Sequence, residues 1–245
     1  MKVGLFIPCY IDQFYPNVAI ATLELLEKLD ITVDYPLHQT CCGQPMANAG
    51  YANYSKDTEH LFVSNFQDFD YIVTPSGSCA LHVKDHFAHL EQTDAVKKVR
   101  DSIYELVEFL TDVVKVDQLD ARFPYKVGYH ASCHGLRGLH MGSPSELRIP
   151  PFSKAHQLLQ MVNDIEVVEL DRRDECCGFG GTFAVAEEAI SVKMGKDRIA
   201  DHRKHEAEVI TGGDMSCLMH LEGLLKRQKS LIKVMHIAEI LNYEQ

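Results

Sequence analysis

The sequence predicts an α/β fold of two tandem repeated modules, each a mainly parallel sheet flanked by helices. Short apolar runs typical of strands alternate with segments whose apolar residues recur at helical spacing, and this alternation favours parallel sheets. The same order of elements occurs twice in the 245 residues, and the segment KVGY at 126–129 repeats KVGL at 2–5. We therefore predict a first module over residues 1–120 and a second over residues 121–245, with the polar segment 117–124 joining them.

The first module opens with an apolar run that ends at Pro8 and is typical of a buried strand. The next helix has Pro16 near its first turn, a position that proline favours, and carries an apolar stripe on one side. A second strand, a Cys-Cys-Gly turn, a helix, a third strand and two further helices follow. The predicted strands are 3–7, 31–35 and 71–74, and the predicted helices are 16–29, 57–69, 80–90 and 102–113.

The second module repeats this order after the proline at position 124. A strand, a helix and a second strand lead to a second Cys-Cys-Gly triplet, and a long helix, a third strand and two final helices come after it. The predicted strands are 126–129, 166–170 and 207–211, and the predicted helices are 153–162, 182–202, 215–227 and 231–241.

Composition argues against nucleic-acid and membrane roles. The chain has 24 basic and 35 acidic residues, a net charge of −11, and no run of Lys or Arg longer than a pair. The basic surface that nucleic acid requires is therefore not expected. No stretch approaches the roughly 20 apolar residues that cross a bilayer, and the first residues lack the pattern of a secretory signal. We expect a cytoplasmic protein without direct membrane insertion.

The eight cysteines form two copies of one pattern, which is the most specific signal in the sequence. Each copy has one cysteine after the first strand, a Cys-Cys-Gly triplet after the second and one cysteine after the third. Thiols in a reducing compartment are better explained as metal ligands or redox groups than as disulfides. Since open α/β sheets bind ligands at the carboxyl ends of their strands, we predict four thiolates in a separate pocket of each module. The predicted ligands are Cys9, Cys41, Cys42 and Cys79 in the first module, and Cys133, Cys176, Cys177 and Cys217 in the second.

The surroundings of these cysteines favour binding of a soft metal. Gly43 and Gly178 permit the sharp bend that lets two adjacent cysteines address one centre, and Cys79 and Cys217 each open a predicted helix, whose positive end favours thiolate. Four thiolates suit an iron–sulfur cluster or a tetrahedral zinc ion. Ligands spread over about seventy residues, with a vicinal pair among them, favour the cluster. Zinc, thiol–disulfide chemistry and buried reduced cysteines remain the alternatives.

Several histidines lie close in sequence to the cysteines. Imidazole is able to ligate iron or to move a proton near a redox centre. We expect hydrogen bonding or surface exposure instead, and leave these histidines out of the predicted ligand set. They are His38, His130, His134 and His220.

The chain resembles the cysteine-rich CCG-domain family of iron–sulfur proteins. The resemblance is carried by GLFIPC at 4–9, PSGSC at 75–79 and CCGFGGTF at 176–183, and it covers essentially the whole chain. The family includes the cysteine-rich subunit of heterodisulfide reductase, and the chain is nearest to the lactate-utilization branch. The resemblance implies an iron–sulfur electron-transfer subunit of an oxidoreductase complex that oxidises L-lactate to pyruvate. It further implies one cluster per module and two partners, a ferredoxin-type iron–sulfur subunit and a third small subunit.

One departure from the family bears on the type of cluster. The wider family ends each motif in CxxC, which gives five cysteines per module in the heterodisulfide reductase protein and holds a noncubane cluster there. This chain has Ser76 and Asp214 in place of the first cysteine of that pair. With four thiols per module, the resemblance implies an ordinary [4Fe-4S] cluster, and we expect structural or solvated roles for Ser76 and Asp214.

Overall fold

The computed structural model describes residues 1–244, which form two four-stranded sheets with all neighbouring strands parallel. The strand order is β2-β1-β3-β4 in the first sheet and β6-β5-β7-β8 in the second. Both sheets are flanked by helices, so the predicted fold class of two repeated α/β modules is confirmed. The strands are β1 Val3–Leu5, β2 Val33–Asp34, β3 Tyr71–Thr74, β4 Ile103–Glu105, β5 Lys126–Tyr129, β6 Glu166–Val167, β7 Val209–Gly212 and β8 Lys233–His236.

The register of the two sheets is equivalent. Val3 of β1 lies opposite Val33 and Tyr71. Its counterpart Val127 of β5 lies opposite Val167 and Val209. In each sheet the first strand lies between the second and the third. The second strand is therefore added on one side of the first strand, and the later strands are added on the other side. Such a switch point leaves a crevice at the carboxyl ends of the strands.

Twelve α-helices connect and cover these strands within the described residues. In the first module they are α1 Cys9–Phe14, α2 Pro16–Lys28, α3 Gln44–Asn48, α4 Ala52–Phe66, α5 Gly77–Leu81, α6 Asp94–Ser102 and α7 Leu106–Glu108. In the second they are α8 Lys154–Leu159, α9 Phe183–Ala186, α10 Glu188–Lys204, α11 Met215–Arg227 and α12 Ile237–Leu241. Wider π-helical turns cover His82–His86, Phe109–Val114 and His134–Gly138. Over residues 1–244, none of the helices has both the length and the apolar character that a bilayer span requires.

Two of the predicted helices were wrong at their starts. Residues 102–113 and 231–241 each begin with an edge strand, β4 or β8, and only then become helical. The helix follows the strand without an intervening loop, because Glu105 and His236 end the strand and cap the next helix, each in a capping box. An apolar stripe that runs through both elements therefore looks like one helix.

Other differences concern the edges of elements. Cys9 begins a short helix, α1, that was not predicted, and the predicted helix 182–202 is divided into α9 and α10. The predicted helix 80–90 begins earlier, at Gly77, and continues as a π-helical turn after Leu81. Cys79 is consequently in the first turn of its helix, as Cys217 is in α11.

The two modules meet through the segments that follow β3 and β7. Ser76 and Asp214 form an antiparallel bridge across the contact, and the main-chain N–H of Gly77 donates to the oxygen of Gly213 at 3.1 Å. Asp214 also accepts a hydrogen bond from the main-chain N–H of Ser78 at 2.9 Å. Apolar residues of both modules belong to one continuous core. The carboxyl ends of the two sheets are therefore held side by side.

Candidate metal centres

The first set of thiols comes from three loops that converge at the carboxyl edge of the first sheet. Cys9 begins α1, directly after β1, and Cys79 lies in α5, directly after β3. Cys41 and Cys42 precede α3, and Gly43 turns the chain between them and this helix with φ +92°. Glycine adopts this left-handed conformation without the strain that a Cβ brings.

The four sulfurs of this set follow one another in a row. Cys9 Sγ lies 3.7 Å from Cys41 Sγ, and Cys42 Sγ lies 3.3 Å from Cys79 Sγ. The main-chain N–H of Gly43 donates to Cys41 Sγ at 3.4 Å. The second set repeats this contact, since the N–H of Gly178 donates to Cys176 Sγ at 3.3 Å. Both triplets thus turn a backbone amide toward their first sulfur.

The second set occupies the same positions in the second module. Cys133 follows β5 and Cys217 lies in the first turn of α11, directly after β7. Gly178 has φ +87°, close to that of Gly43. The N–H of Phe179 donates to Cys177 Sγ at 3.5 Å. All four predicted ligands of each module are therefore brought together by the fold.

Hydrogen bonds among the thiols separate their acidities. Bonds accepted from Cys42 and Cys9, together with the Gly43 amide, lower the pKa of Cys41 to about 3, against the opposing effect of burial. Bonds accepted from Cys133 and Cys177 lower the pKa of Cys176 to about 2. The donating thiols respond in the opposite sense, and the same bonds with burial raise the pKa of Cys9, Cys42, Cys133 and Cys177. Each set thus concentrates negative charge on the first cysteine of its triplet.

All eight cysteines line one cavity of about 600 Å³ between the modules. The prediction of a separate pocket for each set was therefore wrong. The reason is the contact between Ser76 and Asp214, which places the carboxyl edges of the two sheets side by side. Asn48 of α3 and Gly181 also line this cavity, and a Cβ at Gly181 would lie 3.7 Å from Asn48 Nδ2.

Ser76 and Asp214 have structural roles at this contact. Ser76 caps α5, with its Oγ accepting from the main-chain N–H of Cys79 at 3.3 Å. The Asp214 carboxylate accepts from the N–H and the hydroxyl of Ser78 and, at 2.8 Å, from the hydroxyl of Ser216. Both oxygens of Asp214 are engaged in these bonds, in agreement with the structural role expected for it.

The groups behind the two cysteine sets differ in polarity. His130 stands three residues before Cys133, as Phe6 stands three residues before Cys9. A Cβ at Gly4 would lie 3.1 Å from the ring of Phe66, and a Cβ at the equivalent Gly128 would lie 2.1 Å from that of His202. The first module thus has an aromatic cluster where the second has a polar one. The clusters are Phe6, Phe62 and Phe66, and His130, Arg198 and His202.

His130 is fully buried beside the second set. Burial and the charge of Arg198 lower its pKa to about 3, so the ring is neutral. Its Nδ1 accepts a hydrogen bond from Arg198 Nε at 3.2 Å, whereas Nε2 has no partner among the described residues. A ring nitrogen of His130 and the sulfurs of Cys177 and Cys217 lie within 4.8 Å of one another.

A carboxylate lies behind the first set instead. Glu59 is fully buried, accepts from Ser55 Oγ at 2.7 Å and pairs with His89 Nε2 at 2.9 Å. His82 Nε2 lies 3.5 Å from the same carboxylate, and burial lowers the pKa of His82 to about 4. A buried carboxylate thus lies behind the first set, whereas a buried guanidinium, that of Arg198, lies behind the second.

Arg198 and Glu59 were not among the residues predicted from the sequence. The signal that could have identified Arg198 is the difference between α4 and α10. Phe62 and Phe66 of α4 correspond to Arg198 and His202 of α10, so polar residues stand at positions where the first module has buried rings. Among the histidines considered, His130 and His220 contact their module's interior, and His134 lies 3.8 Å from Asp214. The main-chain oxygen of His38 accepts from Asn65.

The donor set fits a thiolate-bound metal. Four clustered thiols in each module suggest metal binding, and one thiol of each set, Cys79 or Cys217, lies in the first turn of a helix. The buried and unpartnered Nε2 of His130 is costly unless an acceptor arrives, and a sulfur ligated to a metal is such an acceptor. The adjoining cavity is larger than one ion needs, while the 3.3 and 3.7 Å sulfur separations are close to the roughly 3.8 Å edge of a tetrahedral zinc–thiolate site.

Comparisons with known proteins agree with this arrangement. The family model described as CCG, a cysteine-rich domain, matches residues 3–84 and 127–222. "Lactate utilization protein A" of Geobacillus sp. strain WCH70 is 42% identical over 246 residues, which cover 99% of each chain. The protein of the same name from Bacillus subtilis strain 168 is 40% identical over 247 residues, again 99% of each.

A solved structure supports the fold alone. A hypothetical protein from Helicobacter pylori matches with a TM-score of 0.57 at 12% sequence identity. The match covers 100% of this chain and 49% of that one, so this chain spans about half the length of the Helicobacter protein.

Proposed function

This chain belongs to the CCG cysteine-rich domain family, and from that premise we propose that it is an iron–sulfur electron-transfer subunit in lactate utilization. The observation that carries the proposal is the grouping of all eight cysteines into two sets of four on one cavity. The relatives named for lactate utilization, about 40% identical over nearly the whole chain, support the metabolic assignment.

The proposed cluster ligands are the four thiols of each set. The bound clusters would supply one-electron oxidation and reduction, because iron–sulfur centres change charge by one electron without breaking bonds. The chain's own residues hold the sulfurs in position, supply the amides of Gly43 and Gly178, and enclose the site between the modules. Four thiols per set, with Ser76 and Asp214 engaged elsewhere, support a [4Fe-4S] cluster in each module.

The proposed reaction of the complex is the oxidation of L-lactate to pyruvate, which releases two electrons and two protons. The partners we propose are a ferredoxin-type iron–sulfur subunit and a third small subunit, with a soluble carrier or a quinone as the final acceptor. This chain passes electrons one at a time between those groups.

Metal analysis of the anaerobically purified full-length chain tests the proposal. We expect a brown protein that contains iron and acid-labile sulfide and shows a paramagnetic resonance signal after reduction. Cys42→Ser and Cys177→Ser should each remove about half of the iron, since each destroys one set, and the double variant should be colourless. In the complex assembled with either single variant, addition of L-lactate should reduce the one centre that this variant retains.

A zinc site is the second candidate, favoured by the short sulfur separations. Under that alternative the protein is colourless and contains zinc without sulfide. A thiol–disulfide reductase would be free of metal and would contain reactive thiols at the Cys-Cys pairs. Either result would contradict the iron–sulfur assignment.

A further inference from the structure

A buried positive charge lies behind the second cysteine set. The side chain of Arg198 is 0% exposed, and its Nε donates to His130 Nδ1 at 3.2 Å. A second guanidinium nitrogen donates to the main-chain oxygen of Tyr129 at 3.2 Å, and a third lies 3.4 Å from Asp201 Oδ2. Arg198 is therefore a buried cation that pairs with Asp201 and is hydrogen-bonded to the histidine beside the thiols.

His130 extends this polarity to the sulfurs themselves. Because its Nδ1 accepts from Arg198, its proton is on Nε2. Nε2 is buried and donates to no described group, and the ring lies beside Cys177 and Cys217. An N–H in that position is available to a sulfur of the second centre.

The first centre has different charged neighbours. The position equivalent to His130 is Phe6, and the one equivalent to Arg198 is Phe62, so no arginine lies behind the first set. A buried histidine, His82, does lie near Cys41, with its Nε2 3.5 Å from the Glu59 carboxylate. Glu59 Oε1 lies 3.2 Å from the point where a Cβ of Gly43 would be. The equivalent of Glu59 in the second module is Gly195, which has no side chain. The carboxylate of Glu59 thus packs against the first Cys-Cys-Gly turn. Glu175 directly precedes the second turn, but its carboxylate pairs with Arg172 at 2.7 Å.

We propose, on the basis of the function proposed above, that the second centre has the higher reduction potential and accepts electrons from the first. A cluster gains negative charge when it is reduced, so a nearby cation and an N–H donor stabilise the reduced form, and a carboxylate destabilises it. Arg198 and His130 are positioning residues for the second centre, and Glu59 has the opposite effect on the first. One electron would pass from the first centre to the second with no bond made or broken, and a ferredoxin-type iron–sulfur protein would be the reductant of the first.

Redox titration of the anaerobic full-length chain, followed by paramagnetic resonance, tests this order. Cys177→Ser and Cys42→Ser assign the signals to the first and second centres. We expect the second centre to be reduced first. His130→Phe, which copies Phe6, should lower the potential of the second centre by about 59 mV, a tenfold change in its one-electron reduction equilibrium. Glu59→Gln should raise the potential of the first centre and leave the second unchanged.

The controls separate electrostatics from packing. Phe6→Leu alters the matching position without altering charge, and should leave the potential of the first centre, which it adjoins, unchanged. Arg198→Leu removes the cation, and Arg198→Lys, which keeps it, is the second variant if the leucine variant does not fold. Arg198→Lys should shift the potential of the second centre less than His130→Phe does. Equal or reversed potentials, or a Phe6→Leu shift as large as that of His130→Phe, would overturn the inference while leaving both clusters in place. Loss of the second centre in His130→Phe would also overturn the inference, because it would show that His130 is a ligand of that centre. A chain without iron would contradict the proposed function itself.

Discussion

Cys41 and Cys176 occupy the same place in their sets, and both accept hydrogen bonds from neighbouring thiols and from a glycine amide. These bonds lower the pKa of both residues, so in the metal-free protein each set holds its negative charge mainly on one sulfur. Thiolate is the form of cysteine that ligates metals and reacts with electrophiles. The first cysteine of each triplet is therefore the expected point of first contact for a cation.

We expect iodoacetamide to modify Cys41 and Cys176 in the reduced, metal-free protein at about pH 6, where an unperturbed thiol is protonated. A pKa below this pH leaves the thiolate populated, and acidification below that pKa would abolish the reaction. Cys42 and Cys177 should stay unmodified, because their pKa is raised and they are buried. Peptide mapping by mass spectrometry across pH provides the measurement.

Denatured protein is the control for this experiment. All eight thiols should then react alike and only at alkaline pH, where ordinary thiols ionise. Alkylation of the folded protein with the same alkaline profile at every cysteine would show that the hydrogen-bonded rows do not form.

The turns after the two Cys-Cys pairs differ in how tightly their glycines are packed. Gly178 has φ +87°, and a Cβ there would lie 2.7 Å from the main-chain oxygen of Ser191. Gly43 has φ +92°, but its nearest contact would be 3.1 Å from the side chain of Glu59, which is able to move. The second turn is therefore packed against a rigid helix, and the first against a side chain.

We expect Gly178→Ala to lower the free energy of unfolding of the metal-free protein by about 2–4 kcal/mol, through backbone strain and overpacking together. Gly43→Ala should cost about 1–2 kcal/mol. Gly50→Ala is the control for strain alone, because Gly50 has φ +86° with nothing near its Cβ position. Gly223→Ala, within α11 and without contacts, should stabilise by about 0.5–1 kcal/mol. Equal losses for Gly178 and Gly50 in urea titrations would refute the packing argument.

Periodicity and repetition predicted most elements of this fold, and the Cys-Cys-Gly triplets predicted which loops converge. The edge strands β4 and β8 were missed because Glu105 and His236 end a strand and cap a helix at once, which leaves no turn residue between the two elements. Arg198 was missed because a basic residue on a polar helix ordinarily faces solvent. Its burial depends on acceptors from Tyr129 and Arg172, which only the tertiary structure brings close.

At the scale of the whole molecule, the site depends on how the modules are joined. The cavity includes residues of both modules, and Asp214 of the second module receives the N–H and hydroxyl of Ser78 from the first. These groups are buried, so loss of the carboxylate would leave them without an acceptor. The module boundary near residue 120 stays a prediction, but the shared core indicates that the two parts unfold together.

We expect Asp214→Ala to reduce the stability of the metal-free protein by about 2–3 kcal/mol, because buried donors lose their acceptor. The matched control is Asp112→Ala. Asp112 also pairs across the modules, with Lys154, but it is 43% exposed, and loss of an exposed ion pair costs at most about 1 kcal/mol. Calorimetry should show one cooperative transition for the unchanged chain. Two separate transitions, or equal effects of both substitutions, would contradict a tightly coupled pair of modules.

The equivalent strand order of the two sheets, and the bridge between Ser76 and Asp214 at equivalent positions, are what a symmetric dimer of one ancestral module would have contained. In such a dimer every substitution appears twice, so the two sites stay identical. In a single chain that constraint is absent. Equivalent positions can then carry different residues, as Phe62 and Arg198 do, and two copies of one site can take on distinct tasks.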